Sequence, residues 1–233
     1  MRVYLDESGQ ELKDKPVLVG GALCPDPDAL EATIRSLYER LKADDRFEGT
    51  ESYENFVKQA FHNGQIPVEH QITFIGELTR IPGFRIYIAF SRRARLPELT
   101  DTQRCAVLYA SLLPDLVLAT RAAELEMWFE ENTSLNKHFE KLARDAVLRA
   151  REIRGPRGFV PKVTARYVSK SEALSLGVID FALAVVATWV AAGYPRERTR
   201  VEARNFIAIE RDVAMIYDFD LGKRSTRLHR EFA

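Results

Sequence analysis

The sequence lacks an excess of charge of either sign. Its 34 lysine and arginine residues balance 34 aspartate and glutamate residues, so the formal net charge is zero. A protein that binds nucleic acid mainly by neutralising phosphates carries many more basic than acidic residues. The balance therefore excludes a polybasic binder of that class, although it leaves room for a local basic groove.

Cysteine and histidine are also scarce. The two cysteines, Cys24 and Cys105, lie far apart and form no CxxC pair, and there are four histidines. We expect reduced, buried thiols in a cytoplasmic protein rather than a disulfide scaffold. Cys24, Cys105 and His138 lack the spacing of a zinc site, and no serine is placed for a serine–histidine–aspartate relay.

No hydrophobic run is long enough to predict a membrane span. The longest one, residues 178–192, is shorter than the roughly 20 residues that a spanning helix needs. The N-terminus shows no signal-peptide pattern, so we expect no membrane association. The run is better interpreted as a buried core helix, and it contains one acid, Asp180.

Hydrophobic periodicity predicts an α/β domain, a mixed sheet with helices on its faces. The predicted strands are residues 2–5, 17–24, 84–93, 124–129 and 163–168, and the first two form an antiparallel hairpin. Five helices are predicted: from a cap at 26–28 to Leu41, over 68–80, over 101–122, over 134–154, and from Ser169 or Ser171 to Gly193. Thr100 would cap the third helix, and Leu148 of the fourth would be turned inward. Residues 43–67 are acidic and then mixed, with a turn at 61–64.

Three acids stand out by their positions. Asp6 ends the first strand within YLDESG, Glu130 ends the fourth, and Asp180 lies in the first turns of the most apolar helix. A buried ionised carboxylate needs a partner, because its desolvation is otherwise too costly. Mg²⁺ prefers oxygen ligands, and two metals held by carboxylates suit phosphodiester hydrolysis.

Each of these acids also has a simpler interpretation. Asp6 would be an ordinary solvated residue at a strand end. Glu130 would interact favourably with the positive end of the next helix dipole. Asp180 would form a buried salt bridge with an arginine. The residues alone leave these alternatives open.

The chain resembles the domain-of-unknown-function 3800 family. The resemblance covers residues 2–192 and is carried by YLDESG followed by VGGAL, by FHNGQ and FRIYIAF, and by SKSEALSLGVIDFALAVV. It implies an RNase H-like fold for residues 1–193, with a charged extension over 194–233 packed on the same domain. It also implies a bacterial protein of a family often found near mobile elements or phage defence.

The resemblance implies a set of site residues. Asp6 and Asp180 match the acids of the first strand and the late helix, and Glu130 falls on or beside the acid of the fourth strand; these three would bind Mg²⁺ or Mn²⁺. Glu7 would assist without binding the metal, and His62, which matches a histidine common in the family, would orient water or touch a phosphate. As a turn residue, His62 would instead bond to backbone.

Basic residues provide candidate contacts with a nucleic-acid backbone. Arg92 and Arg93 follow a predicted strand directly, and Lys170 precedes the late helix. A solvated surface is the usual fate of such residues.

We therefore expect a metal-dependent nuclease acting on nucleic acid of unspecified type. The main alternative is a catalytically silent RNase H-like module that binds nucleic acid or a partner protein. It is favoured by Glu130, where the family usually has aspartate, and by Gly177 and Ile179, where it often has glutamine and alanine. A phosphohydrolase acting on other substrates is a third hypothesis. The sequence leaves open whether the chain forms a homo-oligomer.

Overall fold

The computed structural model describes residues 1–10, 12–62, 66–81, 83–131 and 135–226. Its strands are β1 (Arg2–Ser8), β2 (Val17–Cys24), β3 (Arg85–Ser91), β4 (Glu124–Glu130), β5 (Lys162–Val168), β6 (Val213–Asp218) and β7 (Lys223–Thr226). Its α-helices are α1 (Pro27–Lys42), α2 (Glu51–Gln59), α3 (Val68–Leu78), α4 (Asp101–Ala119), α5 (Asn136–Arg154), α6 (Leu176–Ala191) and α7 (Val201–Glu210).

The strands form one mixed sheet in the order β5-β4-β1-β2-β3-β6-β7. β2 runs antiparallel to β1 and β3, whereas β1, β4 and β5 are parallel to one another. Helices cover both faces. The predicted α/β class, a mixed sheet flanked by helices, is confirmed, and its RNase H-like character stays a prediction.

Alternation along the strands divides the core into two apolar clusters, one on each face of the sheet. One contains Tyr4 of β1 and the buried residues of α6, together with α1 and α3. The other contains Val3 and Leu5 of β1 with the buried residues of α4 and α5. Helix α6 is apolar on nearly every side because it lies between the sheet and the outer helices. Within the described residues, no helix has both the length and the apolarity of a membrane span.

Side-chain caps mark the starts of α1, α2 and α4. Asp26 accepts a hydrogen bond from the backbone N–H of Ala29 and so caps α1. Thr100 and Gln103 form a reciprocal capping box at α4, as expected from the predicted cap.

Three details of the predicted elements were wrong. Helix α6 begins at Leu176 rather than after Ser169 or Ser171, because residues 169–175 form turns closed by their own hydrogen bonds. Helix α2, which begins after the Thr50 cap within the segment 43–67, was missed. Leu148 of α5 is exposed rather than turned inward. Of the predicted turn at 61–64, residues 63 and 64 lie outside the described residues.

The charged C-terminal segment belongs to the same sheet. β6 pairs in parallel with β3, and β7 pairs with β6. In α7, Phe206 stacks on Trp189 of α6, with ring centroids 3.8 Å apart. The segment thus supplies part of the core.

Candidate metal centre

The sheet topology brings Asp6 and Glu130 to the same end of two neighbouring strands. β1 and β4 are neighbouring parallel strands, in register at the pair Leu5–Phe129, and Asp6 and Glu130 each follow by one residue. Parallel neighbouring strands have their carboxyl-terminal ends on the same side of the sheet, so the two acids lie side by side.

A glycine allows α6 to carry Asp180 to the same place. Gly20 of β2 lies opposite Asp6 in the sheet. A Cβ atom at Gly20 would lie 2.7 Å from Cδ1 of Ile179 and 2.9 Å from Cδ2 of Leu183, both on α6. The absence of a side chain therefore lets the helix approach the sheet closely, next to Asp180.

The three acids converge on the ammonium group of Lys170. Its Nζ atom lies 2.9 Å from Oδ2 of Asp180, 3.1 Å from Oε2 of Glu130 and 3.7 Å from Oδ2 of Asp6. Side-chain exposure is 8% for Lys170, 5% for Asp6, 11% for Asp180 and 23% for Glu130. The salt bridge considered for Asp180 therefore exists, with a lysine rather than an arginine, and the same lysine serves all three acids.

Burial and the neighbouring charges both shift the pKa values in this cluster. Burial raises the pKa of Asp6 well above its usual range; Lys170 acts in the opposite direction, and Glu130 and Asp180 raise the pKa further. Burial lowers the pKa of Lys170, but the three carboxylates outweigh this effect and the pKa is raised overall. The raised pKa means that Asp6 takes up a proton more readily than an ordinary aspartate, and the cluster thus crowds three acidic groups around one tightly held cation.

His62 joins the cluster through its Nδ1 atom, which lies 3.1 Å from Oδ2 of Asp180 and 2.9 Å from Nζ of Lys170. A second glycine sets its position. A Cβ atom at Gly177 of α6 would lie 2.6 Å from Cβ of Phe61, the residue before His62, and 3.2 Å from the Phe61 carbonyl oxygen. Glycine at 177 thus allows the His62 segment to pack against α6.

The cluster opens to solvent through a cleft of about 260 Å³. His62, Glu130 and Lys170 line this cleft, together with Lys58, Gln59, Glu131, Ser169 and Ser171. Asp6 and Asp180 are not among its lining residues and are buried. A ligand entering the cleft would therefore meet Lys170 before these two acids.

Glu7 is not brought into the cluster. It alternates with Asp6 along β1, so its side chain lies on the opposite face, where Oε2 accepts a hydrogen bond from the Tyr109 hydroxyl of α4 at 3.0 Å. The predicted role of Glu7 in assisting the metal-binding acids stays a prediction, and its contact with Tyr109 does not favour that role.

Arg92 and Arg93 have internal partners. Arg92 pairs with the buried Asp218 of β6 at 3.0 Å. Arg93 pairs with Asp101 of α4 and also donates to the backbone carbonyl of Gly9. Contact of these arginines with a nucleic-acid backbone stays a prediction.

The position of Lys170 differs from the predicted one. It was expected on a surface facing a nucleic-acid backbone, whereas its ammonium is enclosed by carboxylates. The parallel pairing of β5 with β4 explains the placement, because Lys170 follows β5 at the edge where Glu130 ends β4.

The donor chemistry of the site fits a divalent cation. Three carboxylates share one positive charge, and no nitrogen or hydroxyl among the described residues donates to the buried Oδ2 of Asp6. Hard oxygen ligands of this kind suit Mg²⁺ or Mn²⁺. In the described ranges, however, no group of three or more His, Cys, Asp or Glu side chains is arranged so that it could hold a metal ion as it stands.

Comparisons with known proteins give matches among solved structures. No family model and no curated protein matches the sequence. Among solved structures, a chain of the PCNA:RNase HII complex from Archaeoglobus fulgidus is 14% identical, with 91% of this chain and 90% of that chain covered and a TM-score of 0.47. Ribonuclease H2 from Pyrococcus horikoshii OT3 is 12% identical, with 90% and 97% covered and a TM-score of 0.41. Bst-RNase HIII in complex with Mn²⁺ is 14% identical, with 89% and 69% covered and a TM-score of 0.47.

Proposed function

We propose that this chain is a metal-dependent nuclease and a member of the domain-of-unknown-function 3800 family. The observation that carries the proposal is the convergence of Asp6, Glu130 and Asp180 on one cation at the open edge of the sheet. These acids come from three distant parts of the chain. Burying carboxylates together is energetically costly, and acids that served only as solvated strand ends would stay exposed.

The three carboxylates would hold Mg²⁺ or Mn²⁺. When bound, such an ion supplies an activated water and stabilises charge on the phosphate oxygens. His62 stands at the cleft wall, and because its Nδ1 atom is already engaged, we assign contact with a phosphate or a water to Nε2. The cleft admits a phosphodiester from solvent while α6 shields the buried acids.

A surface beside the cleft suits a nucleic acid. Trp128 shares the Glu130 face of β4, and the guanidinium groups of Arg2 and Arg166 lie 3.6 Å and 4.3 Å from the centroid of its ring. Arg166 is exposed on β5. A nucleic-acid backbone crossing from the cleft toward β5 would meet Arg166, whereas Arg2 is largely buried and paired with Glu126 at 2.8 Å.

The test is cleavage of labelled single- and double-stranded DNA, RNA and hybrid duplexes, with Mg²⁺ or Mn²⁺ and with EDTA. We expect metal-dependent cleavage by the parent and a loss of about 100-fold or more in Asp6→Asn, Glu130→Gln and Asp180→Asn, the range typical for removing a group that stabilises transition-state charge. Asp28→Asn on α1 and Glu124→Gln at the other end of β4 are matched controls, because both acids are exposed and distant from the cluster.

Circular dichroism and thermal unfolding establish that each variant remains folded. Folded Asp6→Asn and Asp180→Asn proteins that cleave as fast as the parent would contradict the proposal.

Lys170 favours a second candidate, the catalytically silent module. In that hypothesis the ammonium permanently replaces the metal and the cluster has a structural role. A parent protein that binds nucleic acid in gel-shift assays, yet cleaves none of the substrates with any divalent ion, would support this candidate.

A further inference from the structure

The position of Lys170 has a direct consequence for metal binding. Its Nζ atom lies within 4 Å of a carboxylate oxygen from each of Asp6, Glu130 and Asp180, where a shared divalent ion would have to bind. An ammonium and a metal ion cannot occupy this space together, because both need the same oxygens and they repel one another.

The side chain of Lys170 has a route out of the cluster. Lys170 is one of the residues that line the cleft. Its four-carbon stem can therefore reorient toward solvent without unfolding the cluster.

The backbone that carries Lys170 is held independently of the ammonium. Glu172 accepts hydrogen bonds from the backbone N–H and the hydroxyl of Ser169. Glu31 of α1 accepts from the N–H and hydroxyl of Ser175 and from the N–H of Leu174. The turns of residues 169–175 therefore have their own anchors, and the side chain can move while they stay in place.

We propose that Lys170 is an intramolecular counter-ion that competes with the divalent cation for the three carboxylates. Without metal, its ammonium neutralises part of their charge and holds them together. On metal binding, it moves into the cleft, where a phosphate of the substrate would be its new partner. The inference rests on the proposed function, and it predicts that metal and a polyanionic substrate favour each other's binding.

Calorimetric titration with MnCl₂ tests the competition. We expect Lys170→Met to bind Mn²⁺ at least about tenfold more tightly than the parent, within the usual range of coupling between sites. Lys170→Arg retains a cation and should show no such gain. Lys58→Met is the matched control, since Lys58 lines the same cleft but forms its ion pair with Glu54.

The outcomes separate this inference from the proposed function. Binding to Lys170→Met but not to the parent would support the competition and overturn the nuclease. Binding to the parent with no gain in Lys170→Met, or an equal gain in Lys58→Met, would overturn the competition alone. No binding to either protein would overturn both.

A second measurement uses the parent protein and does not depend on the folding of a variant. Lys170 should acetylate slowly with acetic anhydride because its side chain is 8% exposed, and saturating MnCl₂ should raise its labelling several-fold in mass spectrometry. Lys162, with a side chain 73% exposed, is the internal reference and should not change. Unchanged labelling of Lys170 with Mn²⁺ bound would overturn the inference.

Discussion

Nζ of Lys170 lies 2.9 Å from Oδ2 of Asp180, and both side chains are about nine-tenths buried. Removing one member of such a pair leaves an uncompensated charge in the interior, which typically costs about 3 kcal/mol or more. We expect Lys170→Met and Asp180→Asn each to lower the free energy of unfolding. The double variant should lose less than the sum, with a coupling of about 1–3 kcal/mol. Urea denaturation of the four proteins measures this coupling, and strict additivity would show that the contact is not formed in solution.

The packing of Gly177 against Phe61 predicts a steric effect. A Cβ atom in Gly177→Ala would lie 2.6 Å from Cβ of Phe61, so the segment that carries His62 would have to shift. Overpacking of this kind costs about 1–3 kcal/mol. Gly76→Ala in α3 is the control, because no atom lies within 4 Å of its added Cβ and alanine favours a helix by about 0.5–1 kcal/mol. Equal stabilities of the two variants would refute the predicted contact.

The thiol of Cys105 should be unreactive in the folded protein. Its pKa is raised to about 12, chiefly by burial and also by Glu7, whereas a hydrogen bond from Gln10 has the opposite effect. A raised thiol pKa means less thiolate at any given pH, so alkylation by iodoacetamide should be slow between about pH 7 and 10 and should rise with pH without reaching a plateau in this range. In urea the same residue should react increasingly through about pH 8.5, its ordinary pKa. Fast alkylation of native Cys105 at pH 8 would be incompatible with this environment.

The C-terminal segment should be required for folding. A chain ending at Gly193 lacks β6, the partner of β3, and Phe206, which stacks on Trp189. We expect this truncation to show no cooperative thermal transition. A chain ending at Thr226 retains all described elements and should unfold cooperatively. A stable protein of residues 1–193 would show instead that the sheet is complete without β6.

Much of the fold could be predicted from sequence because the strands and helices have strong local signals. Alternating residues in 84–93 and the Thr100 cap are examples, whereas α6 starts later than predicted because the Ser169 turn competes with the helix. The contribution of β6 to the sheet had no such signal, because it depends on pairing with β3, more than a hundred residues earlier in the chain.

The positions of the three candidate acids also had local signals, because Asp6 and Glu130 lie in the last residues of strands and Asp180 lies in the first turns of an apolar helix. The placement of Lys170 had no such signal, because the local sequence of 169–171 suggests a helix cap. Its contacts depend on β5 lying next to β4, which is a property of the complete sheet.

The most direct test of the metal centre is a crystal structure of the parent protein soaked in MnCl₂, with anomalous scattering recorded for manganese. We predict an anomalous peak within about 2.5 Å of carboxylate oxygens from at least two of Asp6, Glu130 and Asp180, with the Lys170 side chain displaced toward the cleft. A soaked crystal with no peak there, and with the ammonium still between the three acids, would contradict the account.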